Sequence, residues 1–178
     1  KLIIDTDIGG GGCKDVDDVA AVCIGNALAD NGEVELLATV VNTKPPKCPG
    51  VVSVLNSWYG RGDSVPIGSY KGADLPEGEH LPYVDDLPDH FPSTVKNASQ
   101  VPDAVEVYRR VLAAQPDGSV TISSIGLHTN LRALLLSPAD AHSSLGGREL
   151  VAAKVKALWV MGGKYPTSVG TGFAECNV

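Results

Sequence analysis

The sequence lacks a hydrophobic run long enough to cross a membrane, and it lacks an excess of basic residues. None of its apolar stretches approaches the ~18–20 residues that a membrane-spanning helix needs. Its 178 residues carry 14 Lys and Arg against 21 Asp and Glu, giving a formal net charge of −7 and a pI near 4.9. Nucleic-acid binding depends on clustered Lys and Arg. The sequence therefore predicts neither a nucleic-acid partner nor a membrane partner.

A C-x-x-C pair is also missing, so a structural zinc site is not expected. Cys23 lies in an apolar run and is interpreted as a small hydrophobic core residue. Cys13 and Cys48 lie in polar loops, where a disulfide would form if the loops adjoin. The sequence begins at Lys1 without Met, which indicates a removed leader or flanking segment, and Asn97-Ala98-Ser99 fits a glycosylation sequon. These features favour a secreted protein over a cytoplasmic one.

What is present is the composition of an ordinary globular protein, with 43% hydrophobic and 20% charged residues and a mean hydropathy of +0.05. The length suits a single domain over residues 1–178. Hydrophobic periodicity predicts strands at residues 2–4, 35–41, 65–67, 120–125 and 155–161, and helices at 17–28, 51–58, 101–114, 130–136 and 148–153. Residues 69–99 show no period and are interpreted as a long surface excursion.

The alternation of strands with helices predicts an α/β fold: a mainly parallel, Rossmann-like open sheet flanked by helices. In such sheets ligands bind outside the carboxyl ends of the strands. Polar residues follow four of the predicted strands, and we expect them to meet at one edge of the sheet. They are Asp5 to Asp7, Asn42, Gly126 to Asn130, and Gly162 with Gly163.

Five carboxylates fall within fourteen residues around the first strand-to-helix turn: Asp5, Asp7, Asp15, Asp17 and Asp18. Like charges this close destabilise one another unless a cation offsets them. Oxygen-only ligands suit Ca²⁺ or Mg²⁺. One or two of these residues can instead cap the helix or interact with its dipole. The pattern as a whole predicts a metal site.

Residues 4–10 taken with 15–21 resemble the calcium-binding signature of the inosine–uridine-preferring nucleoside hydrolase family. Three further stretches resemble the family's other motifs, in the same order. They are Leu36 to Asn42, Ile125 to Leu131 with its Gly-x-x-Thr-Asn turn, and Val160 to Gly163 followed by Ala174 to Asn177.

The resemblance implies the nucleoside hydrolase fold and calcium-dependent hydrolysis of the N-glycosidic bond of ribonucleosides to ribose and free base. It implies that Asp7 and Asn42 are catalytic, with Asp7 as the general base. By the same correspondence Ca²⁺ would be held by Asp7, Asp18 and the backbone carbonyl of Ile125. Substrate would be contacted by Asp17, Asn42, Glu175 and Asn177, the last two at the ribose 3′- and 5′-hydroxyls. Asp5 would brace the metal ligands.

The sequence departs from the family pattern in three places. Residues 11–14 resemble an insertion within the aspartate motif, and the family's His-rich segment is not recognisable in residues 69–99, where His80 is the nearest candidate. Family members are also longer, and their later part supplies a further Asp ligand and a His that assists the leaving base. A sheet edge left uncovered is usually paired. We therefore expect a homo-oligomer or a second chain that completes the fold.

Two other functions stay open at this point. A calcium-dependent module that binds nucleoside or ribose without turnover, or an inactive fragment of a cleaved hydrolase, would share the same motifs. A phosphatase of the haloacid-dehalogenase type also places Asp-x-Asp after its first strand, and it would use Mg²⁺. Base preference does not follow from the sequence.

Overall fold

The computed structural model describes residues 1–10, 16–62, 64–75 and 80–162. Within them five strands form one sheet in the order β3-β2-β1-β4-β5, and every neighbouring pair is parallel. The strands are β1 (Leu2–Thr6), β2 (Leu36–Val41), β3 (Ile67–Ser69), β4 (Val120–Ser124) and β5 (Val155–Val160). The predicted α/β fold with a parallel open sheet is confirmed.

In the described part of the chain, six α-helices connect or flank these strands. They are α1 (Asp17–Asp30), α2 (Cys48–Trp58), α3 (Tyr83–His90), α4 (Ala104–Ala113), α5 (Thr129–Leu136) and α6 (Gly147–Lys154), with a 3₁₀ turn at Ala98–Gln100. No helix in these described ranges is long and apolar enough to cross a membrane.

The two faces of the sheet pack into separate hydrophobic clusters, because successive strand residues point to opposite faces. Ile3 of β1 packs in one cluster with residues of α4, α5 and α6. Ile4, the next residue along, packs in the other cluster with residues of α1, α2 and α3. Helices on both faces leave the carboxyl edge of the sheet as the open side. The order of the strands changes direction at β1, because β2 lies on one side of it and β4 on the other. Ligands bind at such a point in open parallel sheets.

The segment from 69 to 99 is not the featureless excursion that the sequence predicts, because it contains α3. Val84 of this helix is completely buried and packs in the same cluster as Cys48. Pro88 lies inside the eight-residue helix, which weakens the local helical signal. The packing of Val84 against the rest of the protein therefore stabilises a helix that the local sequence does not predict.

Smaller differences have local causes. The α4 helix begins at Ala104 rather than Val101, because the side chain of Asp103 accepts a 2.7 Å hydrogen bond from the Val105 amide and caps it. Cys23 is only half-buried, and Ile24 beside it is 59% exposed, so the interpretation of Cys23 as a core residue is wrong. Cys48 is a buried free thiol, whereas Cys13 lies outside the described residues.

The edge strand β5 exposes apolar side chains on both faces. Leu158 is 48%, Trp159 70% and Val160 44% exposed. On one side it hydrogen-bonds to β4, and in the described sheet its other edge carries no strand. An exposed apolar edge of this kind is a surface on which further polypeptide packs or pairs.

Candidate functional site

Asp5, near the end of β1, is the centre of a buried hydrogen-bond network at the carboxyl edge. Its Oδ1 accepts bonds of 3.0 Å from the side-chain amides of Asn42 and Asn130, and its Oδ2 accepts one of 2.8 Å from the Tyr108 hydroxyl. The Asp5 main-chain carbonyl also accepts the Ile125 amide at 2.8 Å. Burial raises the pKa of Asp5 to about 7, and the three side-chain donors oppose that rise.

Asn42 follows β2, and its side chain and main-chain carbonyl make hydrogen bonds to neighbouring segments at the carboxyl edge of the sheet. Its Nδ2 donates to Asp5, and its Oδ1 accepts the Leu127 amide at 3.2 Å. Its main-chain carbonyl accepts the Thr129 hydroxyl at 2.9 Å. The ends of β1 and β2 and the turn before α5 are therefore joined by hydrogen bonds through one side chain.

Asp7 and Asp18 form a second group beside this network. Both are nearly buried, at 4% and 7% exposure, and the Thr6 hydroxyl donates a hydrogen bond to Asp18. Burial, together with repulsion from the Asp7 carboxylate, raises the pKa of Asp18 to about 8. Two buried carboxyl groups that disfavour each other's ionised form would gain from a cation between them.

The surroundings of Gly126 show how closely Asp7 approaches Asn42 of the Asp5 network. A Cβ atom at this residue would lie 2.6 Å from Asp7 Oδ1, 2.5 Å from the Asp7 amide nitrogen and 2.8 Å from Asn42 Nδ2. The structure thus brings together Asp7 and Asn42, which the sequence predicts to be catalytic, and only glycine fits between them.

The loop after β1 is held from outside by α3. Gly9 has a φ of +77°, and a Cβ there would lie 2.1 Å from Val84 Cγ2. Gly10 pairs with His80 in an antiparallel bridge. Cys48 lies under the same loop, where burial raises the pKa of its thiol to about 12. The helix missed in the sequence therefore shapes the aspartate loop.

The remaining predicted site residues either contribute no side chain to the Asp5 network or lie outside the described residues. Asp17 is exposed, and its Oδ1 accepts the Asp18 amide at 2.9 Å in the first turn of α1. Ile125 is half-buried directly after β4. Glu175 and Asn177 lie outside the described residues, as does Asp15. Among the residues that are described, no three His, Cys, Asp or Glu side chains form a cluster that could hold a metal ion by themselves, so a cation here would also need main-chain oxygens.

Sequence reasoning did not identify Tyr108 or Thr6 as site residues. Tyr108 lies on the apolar face of α4 and is indistinguishable in the sequence from an ordinary core aromatic. Thr6 lies between two aspartates, and that position is its only signal.

A cavity of about 380 Å³ opens next to the network, between the loop after β3 and the first turns of α4 and α5. Thr129 and Asn130 line it, together with Tyr70, Asp74 and Arg132. The volume falls in the range of small-molecule sites. Its lining shares Asn130 with the Asp5 network.

The fold is shared with solved nucleoside hydrolases. A purine-preferring ribonucleoside hydrolase from Gardnerella vaginalis superposes with a TM-score of 0.59 at 18% identity, over 92% of this chain and 48% of that one. A plant nucleoside hydrolase superposes with a TM-score of 0.54 at 22% identity, with the same two coverages. The chain therefore spans about half the length of each. No family model and no curated protein sequence matches it.

Proposed function

We propose that this chain carries the ribose- and calcium-binding half of a ribonucleoside hydrolase site and cleaves N-glycosidic bonds with water. The observation that carries the proposal is the placement of Asp7, Asp18 and Asn42 at one edge of the sheet. The fold shared with two nucleoside hydrolases supports it.

The residues at this edge fit a calcium ion. Asp7 and Asp18 would hold it with the main-chain carbonyl of Ile125, giving the oxygen-only donors that Ca²⁺ prefers. The fit rests on their placement, because Asp7 and Asp18 are both nearly buried at this edge, at 4% and 7% exposure. Burial, and then repulsion from Asp7, raises the pKa of Asp18, and a bound cation would offset that cost. When bound, the ion would orient sugar hydroxyls and make a water more acidic.

The protein's own groups then supply the rest of the chemistry. Asp7 would accept a proton from the attacking water as the new C–O bond forms at the anomeric carbon. The electrons of the breaking C–N bond leave with the base, which takes up a proton from solvent, and the sugar becomes cationic in the transition state. The carboxylate of Asp18, and that of Asp7 until it takes up the proton, would stabilise that charge. Asn42 and Asp17 would contact ribose or the attacking water, and Glu175 and Asn177 the outer hydroxyls.

The test is release of free base from a panel of purine and pyrimidine ribonucleosides. We expect turnover with Ca²⁺, none with EDTA, and none in Asp7→Ala. Asp117→Ala is the matched control, because the Asp117 side chain is 77% exposed and pairs with Lys154 away from this edge. Turnover that survives in EDTA or in Asp7→Ala would contradict the proposal.

A second candidate function is calcium-dependent binding of nucleoside or ribose without turnover. The observation in its favour is the pair Asp7 and Asp18, nearly buried at one edge, which would hold calcium with or without catalysis. Calorimetry separates the two. A binding module would take up ribose in the presence of Ca²⁺ while releasing no base from any ribonucleoside.

A further inference from the structure

Tyr108 is a fully buried residue of α4 whose side chain has one polar atom, the hydroxyl oxygen. Its ring packs among the hydrophobic residues of the cluster that contains Leu112 and Leu134. Its hydroxyl donates a 2.8 Å hydrogen bond to Asp5 Oδ2. Burial raises the pKa of Tyr108 well above its ordinary value, so the hydroxyl keeps its proton and remains a donor.

The Tyr108 hydroxyl binds Oδ2 of Asp5, so the side-chain amides of Asn42 and Asn130 bind the other carboxylate oxygen. Oδ1 receives Asn42 and Asn130, each at 3.0 Å. A carboxylate with donors on both oxygens cannot rotate without breaking one of these bonds. Tyr108 thereby fixes the direction in which Asp5 presents Oδ1.

The direction of Asp5 Oδ1 decides which way the Asn42 amide faces. Its nitrogen must point to Asp5, and its oxygen then accepts the Leu127 amide at 3.2 Å. A side-chain amide has two N–H donors, and Asp5 uses one of them. The atom of Asn42 that lies within 3 Å of a Cβ position at Gly126, beside Asp7, is this nitrogen.

We propose that Tyr108 is a positioning residue that acts through Asp5 to hold Asn42 with an N–H, and not its carbonyl oxygen, toward the ligand. The group that Asn42 contacts must therefore be an acceptor, such as a sugar hydroxyl oxygen or the oxygen of the attacking water. The consequence for catalysis rests on the proposed function, whereas the orientation of the amide does not.

The first experiment needs no activity. In protein labelled with ¹⁵N at Asn and Leu and held at pH 8, Tyr108→Phe should shift the side-chain amide signals of Asn42 and Asn130. It should also speed hydrogen exchange of the Leu127 amide about tenfold, the loss of roughly one hydrogen bond. The control is Tyr59→Phe at the C-terminal end of α2, which should leave these signals unchanged. Unchanged Asn42 and Leu127 signals in Tyr108→Phe would overturn the proposal.

A measurement on the wild-type chain keeps the proposal testable if Tyr108→Phe does not fold. The two Asn42 side-chain protons should exchange at clearly different rates, since one is bound to buried Asp5. Two equally fast protons would overturn it.

Turnover gives the last readout. With Ca²⁺ present, Tyr108→Phe should lower kcat about tenfold or more while leaving the calcium affinity unchanged. A normal kcat would contradict the role of Tyr108, whereas absence of turnover in the wild type counts against the proposed function and leaves the labelled-protein result to decide on Tyr108.

Discussion

Thr6, the last residue of β1, donates its hydroxyl to the carboxylate of Asp18 at the start of α1. The same hydroxyl oxygen accepts the Ile8 amide at 3.1 Å. Thr6 thus links the turn that carries Asp7 to the helix that carries Asp18. The two acidic residues are held together before any cation is added.

Stability should fall as the pH rises when no calcium is present. The pKa of Asp18 is raised to about 8 and that of Asp5 to about 7 from the ordinary value of 3.8. A raised carboxyl pKa favours the folded state while the group is protonated. This stabilisation is complete below about pH 4 and is lost as the pH rises through 7 to 8. Thermal unfolding from pH 5 to 9 in EDTA measures it.

Calcium should restore the stability that the chain loses at alkaline pH. At pH 8.5 we expect Ca²⁺ to raise Tm, because an ion that binds only the folded state stabilises it. In Asp18→Asn the pH dependence should be shallower and the calcium effect smaller. Equal Tm with Ca²⁺ and with EDTA at pH 8.5 would count against a calcium site between Asp7 and Asp18.

Gly126→Ala should disable the site without removing any functional group. The new Cβ would lie 2.6 Å from Asp7 Oδ1 and 2.8 Å from Asn42 Nδ2, so both side chains must move. Displacements near 1 Å cost about a hundredfold in rate, and we expect a loss of base release of at least that size. Gly146→Ala is the control, since its nearest neighbour would be 3.7 Å away. Normal turnover in Gly126→Ala would show that the close approach is unimportant.

Arg109→Met should destabilise the fold rather than the site. The guanidinium is 2% exposed and binds Asp140 through two nitrogens at 2.7 and 3.0 Å, as well as Ser137 Oγ and the carbonyls of Ser143 and Leu145. Its removal leaves the Ser137 hydroxyl and the two carbonyls without this donor, and a buried polar group left without its partner costs about 1–3 kcal/mol. Urea unfolding should show a loss of that order.

The neighbouring Arg110 provides the comparison for Arg109. It is exposed on the same helix, so Arg110→Met should change the free energy of unfolding by less than about 0.5 kcal/mol. Similar urea midpoints for the two variants would mean that the Arg109 bonds contribute little.

The isolated chain should self-associate through β5. Leu158→Glu places a charge on the exposed apolar edge and should shift the population toward monomer in light scattering at increasing concentration. Trp58→Glu on α2 is a matched control, because Trp58 is 81% exposed and on a helix away from that edge. A wild-type chain that stays monomeric at high concentration would contradict the expectation.

The parallel sheet could be predicted because short strand-like segments alternate with segments of helical periodicity, as β2 between α1 and α2 shows. The position of Asp7 and Asn42 at one edge followed from that topology alone. The α3 helix could not be predicted, since Pro88 weakens its local helical signal and the helix is stabilised by the packing of Val84 against Gly9 in the folded chain. Tyr108 could not be assigned either, because only the folded chain brings its hydroxyl to Asp5.

The bonds of Asp5 span very different distances along the chain, with partners 37, 103 and 125 residues away in Asn42, Tyr108 and Asn130. Contacts of such separation form late, after the entropy of closing long loops has been overcome. A partly folded chain that has not yet docked α4 and α5 onto the sheet holds Asp5 without Tyr108 and Asn130. The orientation of Asn42 through Asp5 therefore depends on the docking of α4, and ligand binding at this edge would report that the described sheet and these helices have assembled.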